Sequence, residues 1–293
     1  MRINANGLQI EVDDQGPAGA PAVLLIMGLG MQLIAWPDEL VQDLVRRGFR
    51  VIRFDNRDIG LSQHFDHLGR PNLAWVSLRH LLHLKVRAPY ALAAMAADAL
   101  GVLDALNIAQ AHVCGASMGG MIAQHLAVAH GDRVRSLTLL MTTAGARHLP
   151  QPPLAVRQAL LARPAGNRPE DLVAHLQRVL AAIGSPAYPP DPESLRRRLL
   201  ASVQRSWHPV GMLRQLNAIV ADGDRTPLLA RIRMPTLVMH GEADRLVPVA
   251  AAHHLAQHIA GAQKDIVPGM GHDLPLPLMP RLAAGIAETA GRG

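Results

Sequence analysis

Short apolar runs of strand length, set between stretches of helical periodicity, constrain this chain more than any other feature. They fall at residues 23–27 (VLLIM), 50–55 (RVIRFD), 112–115 (HVCG), 134–141 (VRSLTLLM), 236–240 (TLVMH) and 264–267 (KDIV). The runs at 23–27 and 50–55 suit strands buried within a sheet. Helical stripes separate them at 38–47, 91–106, 118–129 and 249–259, and a last one covers 278–290. Regular alternation of this kind predicts an α/β fold, a mostly parallel sheet with helices on both faces. Residues 8–13 (LQIEVD) alternate apolar and polar, as a half-exposed strand ahead of the first buried one should.

The alternation breaks once. No strand run occurs over 146–227, where Pro150, Pro152, Pro153, Pro164, Pro169, Pro186, Pro189, Pro190 and Pro192 divide short helical pieces. The best of these pieces are 170–183 and 193–206. At 293 residues the chain has room for one large core with an inserted subdomain. The expected division is a core of 1–145 and 228–293 with a helical cap inserted at 146–227.

One motif sits where a strand meets a helix. Gly115-Ala116-Ser117-Met118-Gly119 fits G-x-S-x-G, a pattern that needs a sharp strand-to-helix turn to hold its serine exposed. Flanking glycines relieve crowding at such a turn. A serine used as a nucleophile needs a base to take its proton and an acid to orient that base. Fifteen histidines make any single one uninformative. His272 stands apart because it follows the last strand run and the turn Pro268-Gly269-Met270-Gly271, at the carboxyl end of the sheet. Asp244 follows the preceding strand run, so the order Ser117, Asp244, His272 is the one this motif implies. Glu242 and Asp273 are the weaker candidates for the acid. Acyl transfer also needs donors for a developing oxyanion, expected from the backbone N–H groups of Met118 and Leu29, with Gly28 or Gly30 as substitutes. Gly28, Trp36 and Trp207 are the candidate substrate-pocket residues, with packing under the cap the competing role for Trp36 and a similar choice open for Trp207. The chemistry calls for no metal or organic cofactor.

These segments resemble the α/β-hydrolase family, and within it the bacterial serine esterases that carry a helical cap. The resemblance rests on Met27-Gly28-Leu29-Gly30, Trp36-Pro37, residues 54–62 (FDNRDIGLS), 115–119, 240–248 and 269–272. Met27 stands where the family usually has histidine. The Met-Gly, Trp-Pro-Asp-Glu and Arg-Asp-x-Gly stretches are most similar to aclacinomycin-type methylesterases. What this implies is a carboxylic ester hydrolase that acts through Ser117, His272 and Asp244 on a small-molecule ester, one bulky and natural-product-like. A lactone, a thioester, a carbon–carbon bond or cofactor-free perhydrolysis would use the same machinery, because the leaving group is read by the cap. A protein that binds small molecules on a hydrolase scaffold without turnover is the reading of a different class.

Other features weigh against further functions. The formal charge is +6, but the basic residues are spread along the sequence and Arg196-Arg197-Arg198 is the longest run. A solvated surface, with no nucleic-acid partner, follows. Cys114 is the single cysteine and lies inside a strand run, which suits a buried thiol. His254 and His258 lack the glutamate of a zinc helix. Residues 55–58 (DNRD) read as a hydrogen-bonded turn bracing the site. No secretory leader is visible, and the most apolar stretch, 23–36, is too short for a membrane span, so a cytoplasmic protein without a membrane partner is expected.

Overall fold

A computed structural model describes all 293 residues. Its centre is one eight-stranded sheet built from β1 (Arg2–Ala5), β2 (Leu8–Gln15), β3 (Ala22–Ile26), β4 (Arg50–Phe54), β5 (Ala111–Ala116), β6 (Val134–Leu140), β7 (Thr236–Gly241) and β8 (Gln263–Val267). The order across the sheet is β1-β2-β4-β3-β5-β6-β7-β8. Only β1 with β2 and β2 with β4 pair antiparallel; from β4 to β8 every pairing is parallel.

The eleven helices are α1 (Asp38–Arg46), α2 (Leu73–Leu81), α3 (Leu92–Ala105), α4 (Met118–Ala129), α5 (Leu154–Leu161), α6 (Pro169–Ile183), α7 (Pro192–Arg205), α8 (Pro209–Asp222), α9 (Thr226–Leu229), α10 (Ala250–His258) and α11 (Met279–Ala290). The central strands serve two cores, which explains their unbroken apolar runs. Along β3, Leu24 and Ile26 join the core that includes Leu92, Met95, Ile122, Leu126 and Leu255, residues of α3, α4 and α10. Val23 and Leu25 point the other way, into the core with Leu40, Leu44, Leu282 and Ile286 of α1 and α11. A period of two thus divides one apolar run between two layers of helices.

Helices α5 to α9 all lie between β6 and β7, and no strand interrupts them. This insertion is tied to the core by buried charge. Arg214 of α8 makes a two-pronged contact with Asp58, 2.7 and 2.8 Å, and Tyr90 Oη donates to the same carboxylate at 2.7 Å. Neither Arg214 nor Asp58 has exposed side-chain surface. Arg205, at the end of α7, reaches Asp55 at 2.7 Å and Gln32 at 2.6 Å. His208 donates to the Asp58 carbonyl and stacks flat on His64, ring centres 3.9 Å apart.

No helix is long and apolar enough to cross a membrane. Residues 2–5 and helices α2, α5 and α8 lie outside the elements expected from sequence. The burial of α8 accounts for its own absence: Arg214, Gln215 and Asn217 are on its buried side, so its inward face is polar.

Candidate active site

The chain leaves β5 and enters α4 through Ser117, whose φ of 54° and ψ of −117° lie where side chains are rarely tolerated. Crowding explains the residues around it. A Cβ on Gly119 would come within 1.9 Å of the Ile26 carbonyl oxygen, and one on Gly115 within 2.3 Å of the Gly119 carbonyl oxygen. Only glycine lets helix, turn and sheet approach this closely. The turn is held on both sides: Ser117 N–H donates to the Leu140 carbonyl at 2.9 Å, and Thr142 Oγ1 donates to the Ser117 carbonyl at 2.6 Å.

Asp244 and His272 leave the neighbouring parallel strands β7 and β8 at the same edge. His272 Nδ1 lies 2.7 Å from Asp244 Oδ2, and His272 Nε2 lies 3.0 Å from Ser117 Oγ. An ionised carboxylate only accepts, so the Nδ1 proton points to Asp244 and Nε2 is left to accept from the serine hydroxyl. The three residues are far apart in sequence and consecutive in space.

The Asp244 carboxylate is fully engaged. Its Oδ1 accepts the N–H groups of Leu246 and Val247, each at 2.8 Å. The His240 ring lies 3.3 Å from Oδ2 and donates through Nε2 to the Val247 carbonyl at 2.7 Å. Burial alone raises this carboxyl, but the charge of His272 and hydrogen bonds from His240 and His272 outweigh it and bring it down to about 2. Asp244 is therefore an anion wherever the protein is folded near neutrality. Glu242 is exposed, and Asp273 faces Ser185 with a pKa raised by burial, so neither takes the place beside His272.

Residues of the insertion hold the His272 loop in place, a role that no sequence signal announced. His272 N–H donates to the Ile183 carbonyl at 2.7 Å. Ser185 Oγ accepts from Gly271 N–H at 2.8 Å and donates to Asp273. Gly271 backs so closely on the insertion that a Cβ there would lie 2.3 Å from the Gly184 carbonyl oxygen.

On the other side of Ser117 lies the loop after β3. Gly28 is in contact with the serine, its missing Cβ 3.1 Å from Ser117 Cβ. The amides of Leu29 and Met118 donate to no group of the protein. Met118 opens α4, so its N–H belongs to the unpaired first turn of a helix. Gly30 N–H, by contrast, is taken by Gln215 Oε1 at 2.9 Å, while Gln215 Nε2 donates to the Arg57 carbonyl. That removes Gly30 from the candidate donors. Gln215, like Ser185, is a lone polar residue of the insertion, visible only once the chain is folded.

Trp36 has no exposed surface and packs in the core shared with residues of α1 and α11. Trp207 is 39% exposed, between α7 and α8. Residues 55–58 form a brace: Asp55 accepts from Leu33 and Leu61 amides, Asn56 Nδ2 donates to the Met27 carbonyl, and Arg57 pairs with Asp98. Cys114 is wholly buried, and burial pushes its thiol far above the ordinary range.

Comparison with known proteins places the fold in a family. A family model described as "alpha/beta hydrolase fold" matches residues 21–207. Rhodomycin D methylesterase DauP of Streptomyces sp. (strain C5) is 33% identical, over 92% of this chain and 90% of its own. Rhodomycin D methylesterase DnrP of Streptomyces peucetius is 31% identical with the same coverage. Among solved structures, the enol-lactonase from Burkholderia xenovorans LB400 superposes with a TM-score of 0.73 at 26% identity, covering 99% of this chain and 98% of that one.

Proposed function

From the premise that this chain belongs to the α/β-hydrolase fold family and is a carboxylic ester hydrolase, we propose that it cleaves the methyl ester of a bulky, natural-product-like acid by two-step acyl transfer. The observation that carries the mechanism is the unbroken relay from Ser117 Oγ through His272 to Asp244, at 3.0 and 2.7 Å. Ser117 Oγ attacks the ester carbonyl while His272 Nε2 takes its proton, and Asp244 stabilises the imidazolium that results. The carbonyl oxygen becomes an oxyanion facing the two unpartnered amides of Leu29 and Met118. His272 then gives its proton to the departing alkoxide, and methanol leaves. Water, deprotonated by the same Nε2, attacks the acyl-enzyme and releases the acid. Each proton taken is returned, so no cofactor is needed to balance the cycle. In this reading the helical insertion, 146–227, is the cap that sets substrate size.

The methyl ester comes from the names of the two methylesterase relatives. An internal ester is the second reading, favoured by the enol-lactonase relative. The products separate them, because only an open ester yields a free alcohol.

The test has two stages. Intact mass after fluorophosphonate treatment should show one adduct on wild type, none on Ser117→Ala, and much slower labelling of His272→Ala. Methyl esters of polycyclic acids and a set of lactones are then compared, with methanol measured directly. Lactone opening without methanol release from any ester would replace the first reading by the second. Folded wild type that takes no adduct would remove catalysis by Ser117 and leave a binding protein on the same scaffold.

A further inference from the structure

Exposed apolar surface on this protein is concentrated in two places. Of the thirteen large hydrophobic residues with substantial exposure, Leu68, Trp75, Leu78, Leu81, Leu82 and Leu84 lie on or beside α2, and Leu154, Leu160 and Leu161 on α5. Trp75, Leu78 and Leu82 follow helical spacing along one outward face of α2, while Val76 is turned inward. Leu154 and Leu161 are two turns apart on α5, whose buried residue is Val156. The two regions adjoin: the Arg147 guanidinium, just ahead of α5, meets the ring of His83, just beyond α2. Single exposed leucines are ordinary on any protein, but nine large hydrophobic residues gathered on or beside two short helices in adjoining regions are not.

The charge around them is equally lopsided. Residues 67–97 contain Arg70, Arg79, Lys85 and Arg87 and no Asp or Glu. Residues 147–169 contain Arg147, Arg157, Arg163 and Arg168, again with no acid. These eight account for more than the whole formal charge of +6, because the 21 remaining basic residues are outnumbered by the 23 acidic ones. Seven of the eight side chains are exposed; Arg79 is half-buried and its guanidinium lies 5.8 Å from the centre of the Trp75 ring. Spread along the sequence, these residues read as a solvated surface. In the fold they share two segments with the nine exposed hydrophobic residues, and of the eight only Arg168 is in an ion pair, with Asp171.

We infer that the α2–α5 face is a docking surface for an anionic lipid bilayer, on which the enzyme sits without spanning it. Leucine and tryptophan side chains enter the boundary between headgroups and acyl chains while arginine and lysine contact lipid phosphates. Charge decides against a second copy of the chain: a two-fold contact through this face would set the same eight cations against each other. A lipid surface supplies both complements at once, negative charge and apolar depth. The inference does not depend on which ester is cleaved, and its test needs no turnover.

Full-length protein is sedimented with vesicles of equimolar phosphatidylglycerol and phosphatidylcholine, and with vesicles of phosphatidylcholine alone. Binding to the anionic vesicles should be at least about tenfold tighter at about 0.1 M salt and should be lost at about 1 M. Trp75 fluorescence should shift to the blue on binding, and Trp75→Phe should remove that shift. Leu81→Ser with Leu161→Ser should weaken binding about tenfold with charge unchanged, and Arg87→Glu with Arg157→Glu should abolish it. All five positions are exposed, and fluorophosphonate labelling of each variant checks that it is folded. Equal affinity for both vesicles, or none for either, overturns the inference. So does concentration-dependent self-association that Leu81→Ser abolishes, which would assign the face to a second copy.

Discussion

Asp244 is the residue at which stability and the proposed chemistry meet. Its carboxyl titrates near 2 in the folded protein, against about 3.9 in an unfolded chain. A depressed acid stabilises the fold above its unfolded pKa and loses that contribution as pH falls through the folded one. The window is thus about pH 4 to pH 2, and the contribution above it is about 2.5 kcal/mol. Asp244→Asn should lose this increment at pH 7 and show a flatter decline in stability between pH 4 and 2, measured by urea titration at each pH. Asn also offers an N–H to His272 Nδ1 and favours the wrong tautomer, so kcat should fall by about 10³ to 10⁴. Unchanged kcat in this variant would exclude Asp244 as the orienting acid. That Ser117, Asp244 and His272 would meet was legible in the sequence for one shared reason: each lies just beyond a recognisable strand. Ser185 and Gln215 were not, because a single polar residue in a helical region carries no local sign of the loop it will hold.

At the scale of elements, the join between the insertion and the His272 loop is the most exacting contact. Ser185 Oγ satisfies both Gly271 N–H and the buried Asp273 carboxyl. Ser185→Ala leaves that amide unpaired and should cost about 1–3 kcal/mol of stability. Because the amide adjoins His272, kcat should drop about tenfold with KM little changed, and fluorophosphonate labelling should slow in step. A loss of stability without slower labelling would make Ser185 purely structural. The sheet was read correctly from β2 to β8 because each of its central strands feeds two cores and so cannot hide a polar face. Strand β1 escaped notice as four mixed residues at an edge, and α8 because it buries Arg214 and Gln215 where a typical helix buries leucine.

Over the whole molecule, core and insertion share several buried or nearly buried contacts of opposite charge or hydrogen bonding, among them Arg214 with Asp58, Arg205 with Asp55, and the Ile183–His272 backbone bond. Opening any of them strands a buried polar group, so the two parts should unfold together. In a variant that keeps Trp207 as its only tryptophan, fluorescence reports the insertion and far-UV circular dichroism the entire fold. The two unfolding curves in urea should coincide. A Trp207 transition at lower denaturant would show the insertion detaching first. The bond from His272 to Ile183 also bears on how such enzymes can be recombined. A lid that merely covers a site is exchangeable, like a lampshade. Here the segment 183–187 is scaffolding for the proposed base, so a transplanted insertion must bring a carbonyl for His272 and a hydroxyl for Gly271, or the new enzyme will have its serine, aspartate and histidine and no fixed place for one of them.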